Sequence, residues 1–171
     1  SRRSADAAVM RTADDASQAK AVCARLGYVD DEFALALAPG AERKSPLIHR
    51  GYWIRMHAVS TVVEQALDAH PGLQIVLLGS GLDSMYFRLR HAKRRFARFL
   101  EVDFPDVIQR KAAAIKRSRV LQSVMDGDLR EHSAFALESG NYSLVQADLR
   151  DVAELETRLK SCGLDCGAPT L

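Results

Sequence analysis

Long hydrophobic runs are absent from this sequence, and their absence excludes one class of protein. No stretch approaches the roughly 18 consecutive apolar residues that a membrane-spanning helix needs. The opening residues, "SRRSADAAVMRTADDAS", also lack the apolar core of a signal peptide. We therefore expect a cytoplasmic protein.

Cysteine is scarce, with three residues in 171, which fits that compartment. Cys23 stands alone, and Cys162 with Cys166 forms a single C-x3-C that has no second pair of ligands nearby. A structural zinc site needs four ligands. The sequence therefore predicts free thiols and no metal site.

A strong excess of one charge is missing as well. The 24 Lys and Arg residues stand against 22 Asp and Glu residues, a net charge of +2 that does not by itself indicate a nucleic-acid-binding protein. One local cluster, "HAKRRFAR" from His91 to Arg98, is basic, and the simplest interpretation is a solvated face. The composition, 47% hydrophobic and 27% charged, is typical of one soluble globular domain with a sizeable core.

The first part of the chain predicts helices. "DDASQAKAVCARLGY" indicates a helix from about Ala16 that stops at Gly27, and "LAPGAERKSP" indicates a loop. "HRGYWIRMHAVSTVVEQALDAHPG" predicts a long amphipathic helix that ends at Pro71-Gly72. Its predicted apolar face carries two rows of residues, Ile54, Ala58, Val62 and Ala66 beside Val59, Val63 and Leu67.

After this helix the pattern alternates between strand and helix. "LQIVLL", "RFARFLEVDF" and "ESGNYSLVQADL" are predicted strands, and "PDVIQRKAAAIKRS" and "DVAELETRLKSCG" are predicted helices. Strands that alternate with helices form βαβ units. The fold class is therefore α/β with a parallel sheet.

Glycines and acids follow these strands where a ligand would bind. Gly79 and Gly81 come directly after the first strand, where small residues let a ligand approach the backbone. Glu101 and Asp103 end the next strand, at the position from which an acid contacts ribose hydroxyls in such folds. Asp148 follows the third strand. Together these residues predict a nucleoside crevice at the carboxyl edge of the sheet.

Two nucleoside ligands compete for this crevice, a dinucleotide and S-adenosylmethionine. The dinucleotide fingerprint G-x-G-x-x-G requires a third glycine, but Ser84 stands at that position. Asp83 adds a negative charge that a pyrophosphate would repel and a sulfonium or ammonium group would attract. The charge favours S-adenosylmethionine, although Asp83 could equally be a helix cap that is compatible with both ligands.

Several blocks of the sequence resemble one family along essentially the whole chain. They are "RTADDASQAK", "GYVDDEF", "ERKSPLIHRGYWIRMHAV", "LGSGLDSMYFRL", "EVDFPDVIQRKAAAI" and "ADLRDVAELETRL". In this order they resemble the leucine carboxyl methyltransferases. The resemblance implies a Rossmann-like S-adenosylmethionine-dependent methyltransferase fold with an N-terminal helical extension. We therefore divide the chain into a helical lead-in, residues 1–70, and an incomplete Rossmann-like donor-binding region, residues 71–171.

The resemblance also implies which residues contact the methyl donor. Lys20 and Arg55 would hold its carboxylate, a group that cations prefer, and Gly79 with Gly81 would form the donor loop.

The two later strand ends would contact the nucleoside of the donor. Asp103 would contact the ribose, with Glu101 as its neighbour. Asp148 and Leu149 would contact the adenine.

The acceptor in this family is a carboxylate, which is already ionised near neutral pH. Its attack on the methyl group is an in-line displacement that depends on positioning, so we assign no general base. Cations would hold the acceptor, and the candidates are Arg43, Lys44 and Arg50.

Two branches of the family differ in the acceptor. One acts on the wybutosine precursor of phenylalanine tRNA, and the other methylates the C-terminal leucine carboxylate of the protein phosphatase 2A catalytic subunit. "PGAERKSPLIHRGYW", "LDSMYFRL" and "VDFPDVIQRKA" favour the tRNA branch, whereas "DDAS" favours the phosphatase branch. We therefore expect phenylalanine tRNA as the acceptor, with the phosphatase subunit as the alternative. A non-catalytic binding domain and an NAD-dependent oxidoreductase are the alternatives from other classes.

The end of the sequence, "APTL", resembles the beginning of a fourth strand. We therefore expect a fragment whose sheet is truncated after about three strands, without the rest of the acceptor pocket. In the tRNA branch a β-propeller is also expected to follow.

Overall fold

The structure, a computed structural model, describes the backbone of residues 2–43 and 45–171 and the side chains of residues 12–43 and 45–171. Three helices precede the sheet. They are α1 (Arg2–Arg25), α2 (Glu32–Leu37) and α3 (Pro46–Ala69).

Helix α1 is longer than predicted, because it begins at Arg2 and not near Ala16. The stretch is rich in alanine and contains neither proline nor glycine, so nothing in it interrupts a helix. The predicted stop is confirmed: α1 ends at Arg25, and Gly27 has a φ of +76° that favours glycine.

The remaining elements follow in the order β1 (Gln74–Leu78), α4 (Met85–His91), β2 (Arg98–Asp103), α5 (Pro105–Arg117), α6 (Arg119–Gln122), β3 (Arg130–Ser133), β4 (Ala136–Ser139), β5 (Tyr142–Gln146) and α7 (Val152–Ser161). They form one sheet of five strands in the order β1-β2-β5-β4-β3. The α/β class is confirmed, since β1, β2 and β5 are the three predicted strands and run parallel.

The antiparallel strands β3 and β4 were not predicted. β3 has the polar sequence "REHS", which carries no apolar alternation. The start of the third predicted strand is wrong, because Ser139 ends β4 and a turn at Gly140, with a φ of +60°, separates it from β5. Beyond the other edge, Gln74 of β1 pairs in parallel with Thr170.

Hydrophobic side chains cover both faces of the sheet. Side chains of a strand alternate between faces, so Phe99 packs with Phe87 and Tyr142 beneath α4 and α5, whereas Leu100 and Val102 pack beneath α7. Within the described part of the chain, no helix is both long enough and apolar enough to cross a membrane.

The predicted apolar face of α3 is partly wrong. Val63 and Leu67 are buried as expected, but Ile54, Val59 and Val62 are 58%, 42% and 53% exposed. A helical period identifies an apolar stripe without fixing how wide a part of it is covered. In this chain α1 packs against α3 and covers only part of the stripe.

Candidate functional site

A cavity of about 650 Å³ opens at the carboxyl ends of β1, β2 and β5. Its walls come from α1, α3, the turn after β1 and the ends of the other two parallel strands. Seven of the eight residues predicted to contact the donor line it: Lys20, Arg55, Gly79, Gly81, Asp103, Asp148 and Leu149. A smaller cavity of about 270 Å³ lies between α2, α3 and α4, and none of these seven residues lines it.

The turn after β1 needs its two glycines. Gly79 and Gly81 have φ values of +66° and +56°, which other residues rarely adopt. A Cβ atom at Gly81 would also lie 3.3 Å from the Cβ of Ala13 on α1, a tight contact. The glycine turn, residues 79–84, therefore lies in the cavity wall with Gly79 exposed and Gly81 packed against α1.

Asp103 holds this turn at the end of β2. One of its carboxylate oxygens accepts a hydrogen bond from Gly81 N at 2.7 Å, and the other accepts one from Phe104 N at 2.7 Å. Each carboxylate oxygen has a further lone pair, so the group can still accept hydrogen bonds from hydroxyls in the cavity.

Asp83 joins the glycine turn to α1 and α4. Its carboxylate accepts a hydrogen bond from Met85 N at 2.7 Å and forms an ion pair with Lys20. Burial opposes ionisation of Asp83, but the charges of Lys20 and Lys111 outweigh it and lower the pKa of this carboxyl to about 2. Asp83 thus directly precedes the N-cap of α4, Ser84, accepts a hydrogen bond from the first residue of that helix, and is the partner of a predicted donor-binding lysine.

Glu101 lies apart from the other predicted donor residues. It is fully buried, does not line the cavity and forms an ion pair with Lys111 of α5. Burial raises its pKa to about 7, although the charge of Lys111 opposes the shift. Direct contact between Glu101 and the donor, which the sequence suggested, does not fit this position beneath the glycine turn.

The acid that follows β5, Asp148, is bound by a neighbouring arginine. The carboxylate of Asp148 accepts hydrogen bonds from Arg150 Nε at 2.7 Å and Arg150 Nη2 at 2.6 Å. The Arg150 guanidinium also lies 5.6 Å from the centre of the Phe104 ring. Leu149 approaches the glycine turn, since its Cδ1 would lie 4.0 Å from a Cβ atom at Gly79.

Two arginines on different helices line the cavity. Arg55 of α3 makes no hydrogen bond or ion pair with any residue that the structure describes, so its guanidinium can bind an anion. Arg88 of α4 donates to Ser60 Oγ at 3.1 Å and lies 3.5 Å from a carboxylate oxygen of Asp31. The sequence analysis missed Arg88. No local sequence pattern places it in the cavity wall, because its position depends on the packing of α4 against α3 and Asp31.

Two of the three predicted acceptor-binding cations lie outside this cavity. Arg43 and Arg50 are exposed and line neither cavity. Lys44 lies outside the described residues.

The basic segment His91–Arg98 lies at the amino end of β2, on the opposite edge of the sheet from the cavity. Arg94 forms ion pairs with Glu64, at 2.9 Å, and with Asp68. Lys93 and Arg95 are exposed. The segment is therefore only partly a free basic surface.

All three cysteines are free thiols. One of them, Cys162, belongs to the group of possible metal ligands found among the described residues, where its sulfur and atoms of His132 and Glu138 lie within 4.8 Å of one another. The Arg98 guanidinium lies 3.8 Å from the carboxylate of Glu138, and this positive charge disfavours a cation at the same place. His132 lies on β3, Glu138 on β4 and Cys162 directly after α7, and none of the three lines the cavity.

Comparison with known proteins identifies similar chains. The family model of leucine carboxyl methyltransferase matches residues 8–171. The tRNA wybutosine-synthesizing protein 4 of Homo sapiens is 43% identical over 96% of this chain, which covers 25% of that protein. Leucine carboxyl methyltransferase 1 of Bos taurus is 34% identical over 97% of this chain, which covers 52% of that protein.

A plant relative is also similar over nearly the whole of this chain: leucine carboxyl methyltransferase 1 homolog of Arabidopsis thaliana is 33% identical over 98% of it. The chain thus spans about a quarter of the wybutosine-synthesizing relatives and about half of the leucine carboxyl methyltransferase relatives.

Proposed function

The chain belongs to the leucine carboxyl methyltransferase family, and we propose that its large cavity binds S-adenosylmethionine for methyl transfer to a carboxylate. The observation that carries this proposal is the convergence of Arg55, Asp103 and the glycine turn on one cavity. A cation can bind the donor's carboxylate, an acid can accept hydrogen bonds from its ribose hydroxyls, and glycines let the donor approach the backbone of the turn.

The residues of the cavity fit the donor in charge. The Arg55 guanidinium, which has no partner among the described residues, can bind the donor's carboxylate, and Asp83, a carboxylate with a lowered pKa, can attract the donor's cationic end. Lys20 supports Asp83 through their ion pair and can share in binding the donor's carboxylate. Asp148 and Leu149 flank the cavity where the adenine would lie.

The donor supplies an activated methyl group on a sulfonium. An oxygen of the acceptor carboxylate forms a bond to the methyl carbon while the carbon–sulfur bond breaks, and the bonding electrons pass to sulfur. The products are a methyl ester and a thioether, with no proton transferred. The protein therefore contributes binding, orientation and exclusion of water, and Arg88 is a cation in the cavity wall that can hold the acceptor carboxylate.

Binding of S-adenosylhomocysteine, measured by isothermal titration calorimetry, tests the donor site. The wild-type chain is expected to bind it, and Arg55→Ala is expected to bind at least tenfold more weakly because a charged hydrogen-bond donor is lost. Arg50→Ala is the matched control, since Arg50 lies on the same helix and outside the cavity. Equal affinity of the Arg55→Ala and wild-type chains would refute the assignment of Arg55. No binding by the wild type would favour a non-catalytic domain.

For the acceptor we propose the wybutosine precursor of phenylalanine tRNA. The support is the higher identity to the wybutosine-synthesizing relative, 43% against 34% for leucine carboxyl methyltransferase 1. The C-terminal leucine of the protein phosphatase 2A catalytic subunit is the alternative, supported by the larger share of that relative's length that the chain covers. Methyl transfer to tRNA and to the phosphatase subunit, measured side by side, distinguishes them.

A further inference from the structure

A fully buried ion pair lies directly beneath the glycine turn. Lys111 of α5 and Glu101 of β2 are both 0% exposed, and they pair with each other. Lys111 Nζ also donates to the backbone carbonyl of Asp83, with an Nζ–O distance of 2.6 Å. The lysine thereby connects α5, β2 and the turn.

We propose that Lys111 is a positioning residue that holds the glycine turn in the conformation that binds the methyl donor, with Glu101 holding Lys111 in place. This inference rests on the proposed donor-binding function of the cavity. Neither residue touches the cavity, so both act through the turn.

The stability of the core does not account for this pair. Removing two charges from water costs several kcal/mol per ion, and replacing a buried pair by apolar residues of similar volume is often neutral or stabilising. Tyr86, Tyr142 and Ile108 are buried on this face of the sheet, where the Tyr142 hydroxyl lies beside Glu101. Apolar side chains in place of the pair would lose this neighbour of Tyr142, and they could not reproduce the hydrogen bond from Lys111 to the turn.

The turn has other anchors, among them Ser80 N to the carbonyl of Val102 at 3.0 Å and Ser84 Oγ to the carboxylate of Asp31 at 2.6 Å, and they are at other atoms than the carbonyl of Asp83. Asp103 holds the amide of Gly81, and the carboxylate of Asp83 is held by Lys20 and Met85 N. The carbonyl of Asp83 is held by Lys111. The two acids of β2 thus act on the same turn, Asp103 directly and Glu101 through the lysine. Small displacements of a group that positions a ligand cause large losses of affinity or rate.

The test uses two variants and one control. Lys111→Met removes the hydrogen bond to the turn, and Lys111→Met with Glu101→Leu also removes the unpaired acid. Lys116→Met is the control, because Lys116 is exposed in the last turn of the same helix. Each chain is examined by thermal unfolding and by calorimetric titration with S-adenosylhomocysteine well below its melting temperature.

We expect the double variant to stay folded, with a melting temperature lowered by loss of the contacts of Lys111 with Asp83, and to bind about tenfold more weakly. The control should match the wild type in both measurements. A folded double variant with wild-type affinity would overturn the positioning role and leave the donor site intact. Loss of folding in both variants would show that the pair is required for folding, and this would also overturn the positioning role. Absence of binding by the wild type would refute the proposed function, and this inference with it.

Discussion

The carboxylate of Asp103 accepts a hydrogen bond from the backbone amide of Gly81 at 2.7 Å, across 22 positions of sequence. This contact joins the end of β2 to the turn after β1. It also places Asp103 and Gly81 side by side in one wall of the cavity. The two strand ends are therefore one structural unit and not two separate contacts for a ligand.

Asp103→Asn tests this unit. An amide has one acceptor oxygen, so the side chain can no longer accept from both Gly81 N and Phe104 N, and one buried donor loses its partner. We expect a loss of about 1–3 kcal/mol in the free energy of unfolding. We also expect affinity for S-adenosylhomocysteine to fall about tenfold. Urea denaturation and calorimetry measure the two effects.

Asp106→Asn is the control for this substitution, because Asp106 is exposed in the first turn of α5. It should change stability by only a few tenths of a kcal/mol, the usual size of a surface effect. If Asp103→Asn behaved like this control, the hydrogen bonds of Asp103 would not fix the turn.

Asp83 should make stability depend on pH in the acid range. Its pKa is lowered from 3.8 to about 2 by Lys20 and Lys111, which outweigh its burial. A lowered pKa stabilises the folded state above the unfolded pKa, and this contribution is lost as the pH falls from 3.8 towards 2. The shift corresponds to about 2 kcal/mol. The free energies of unfolding of the wild type and of Asp83→Asn, measured at several pH values, should therefore converge near pH 2. A difference that stays constant with pH would contradict the ion pair.

Glu101 should make stability depend on pH in the opposite direction, with the folded state less stable at higher pH. Burial raises its pKa from 4.5 to about 7, so the folded state binds a proton that the unfolded state has released. Stability should then decrease as the pH rises from 4.5 to 7. Glu101→Gln removes the titrating group, and denaturation curves between pH 4.5 and pH 7 should show a smaller decrease for this variant. A decrease as large as that of the wild type would assign the effect to another group.

The sequence predicts the parts of this fold that local pattern specifies. β1 is a short apolar run and the following glycines need positive φ, so both are visible without the structure. β3 is polar and forms only by pairing with β4, a contact that no local pattern encodes. Lys111 is the clearest case: it sits in the basic "RKAAAIK" stretch of an amphipathic helix, yet it is fully buried. Its burial depends on Glu101 in the preceding strand.

The same limit applies to the cavity. Residues at strand ends could be predicted as neighbours because parallel strands end at one edge. Arg88 could not, because its place in the wall depends on how α4 packs against Ser60 of α3 and Asp31. The prediction that Arg43 and Arg50 bind the acceptor rests on charge alone, and charge does not determine which way a loop or helix faces.

If tRNA is the acceptor, the basic segment should contribute to phosphate binding, and the structure divides its residues into two sets. Lys93 and Arg95 are exposed, whereas Arg94 is paired with Glu64 and Asp68. Each phosphate neutralised should add roughly 0.7–0.9 to the slope of log affinity against log salt concentration. The double variant Lys93→Ala with Arg95→Ala should therefore lower the slope by roughly 1.4–1.8.

Arg94→Ala is the comparison, and it should leave the slope nearly unchanged because carboxylates already neutralise this arginine. Arg98, beside Glu138, should behave in the same way. Filter binding of tRNA at several salt concentrations gives the slopes, and methyl transfer to tRNA and to the phosphatase subunit at two ionic strengths identifies the acceptor. The segment lies across the sheet from the cavity, so a lowered slope would mean that the nucleic acid wraps around the domain. An unchanged slope in the double variant, together with labelling of the phosphatase alone, would refute the tRNA branch and leave the donor-site proposal untouched.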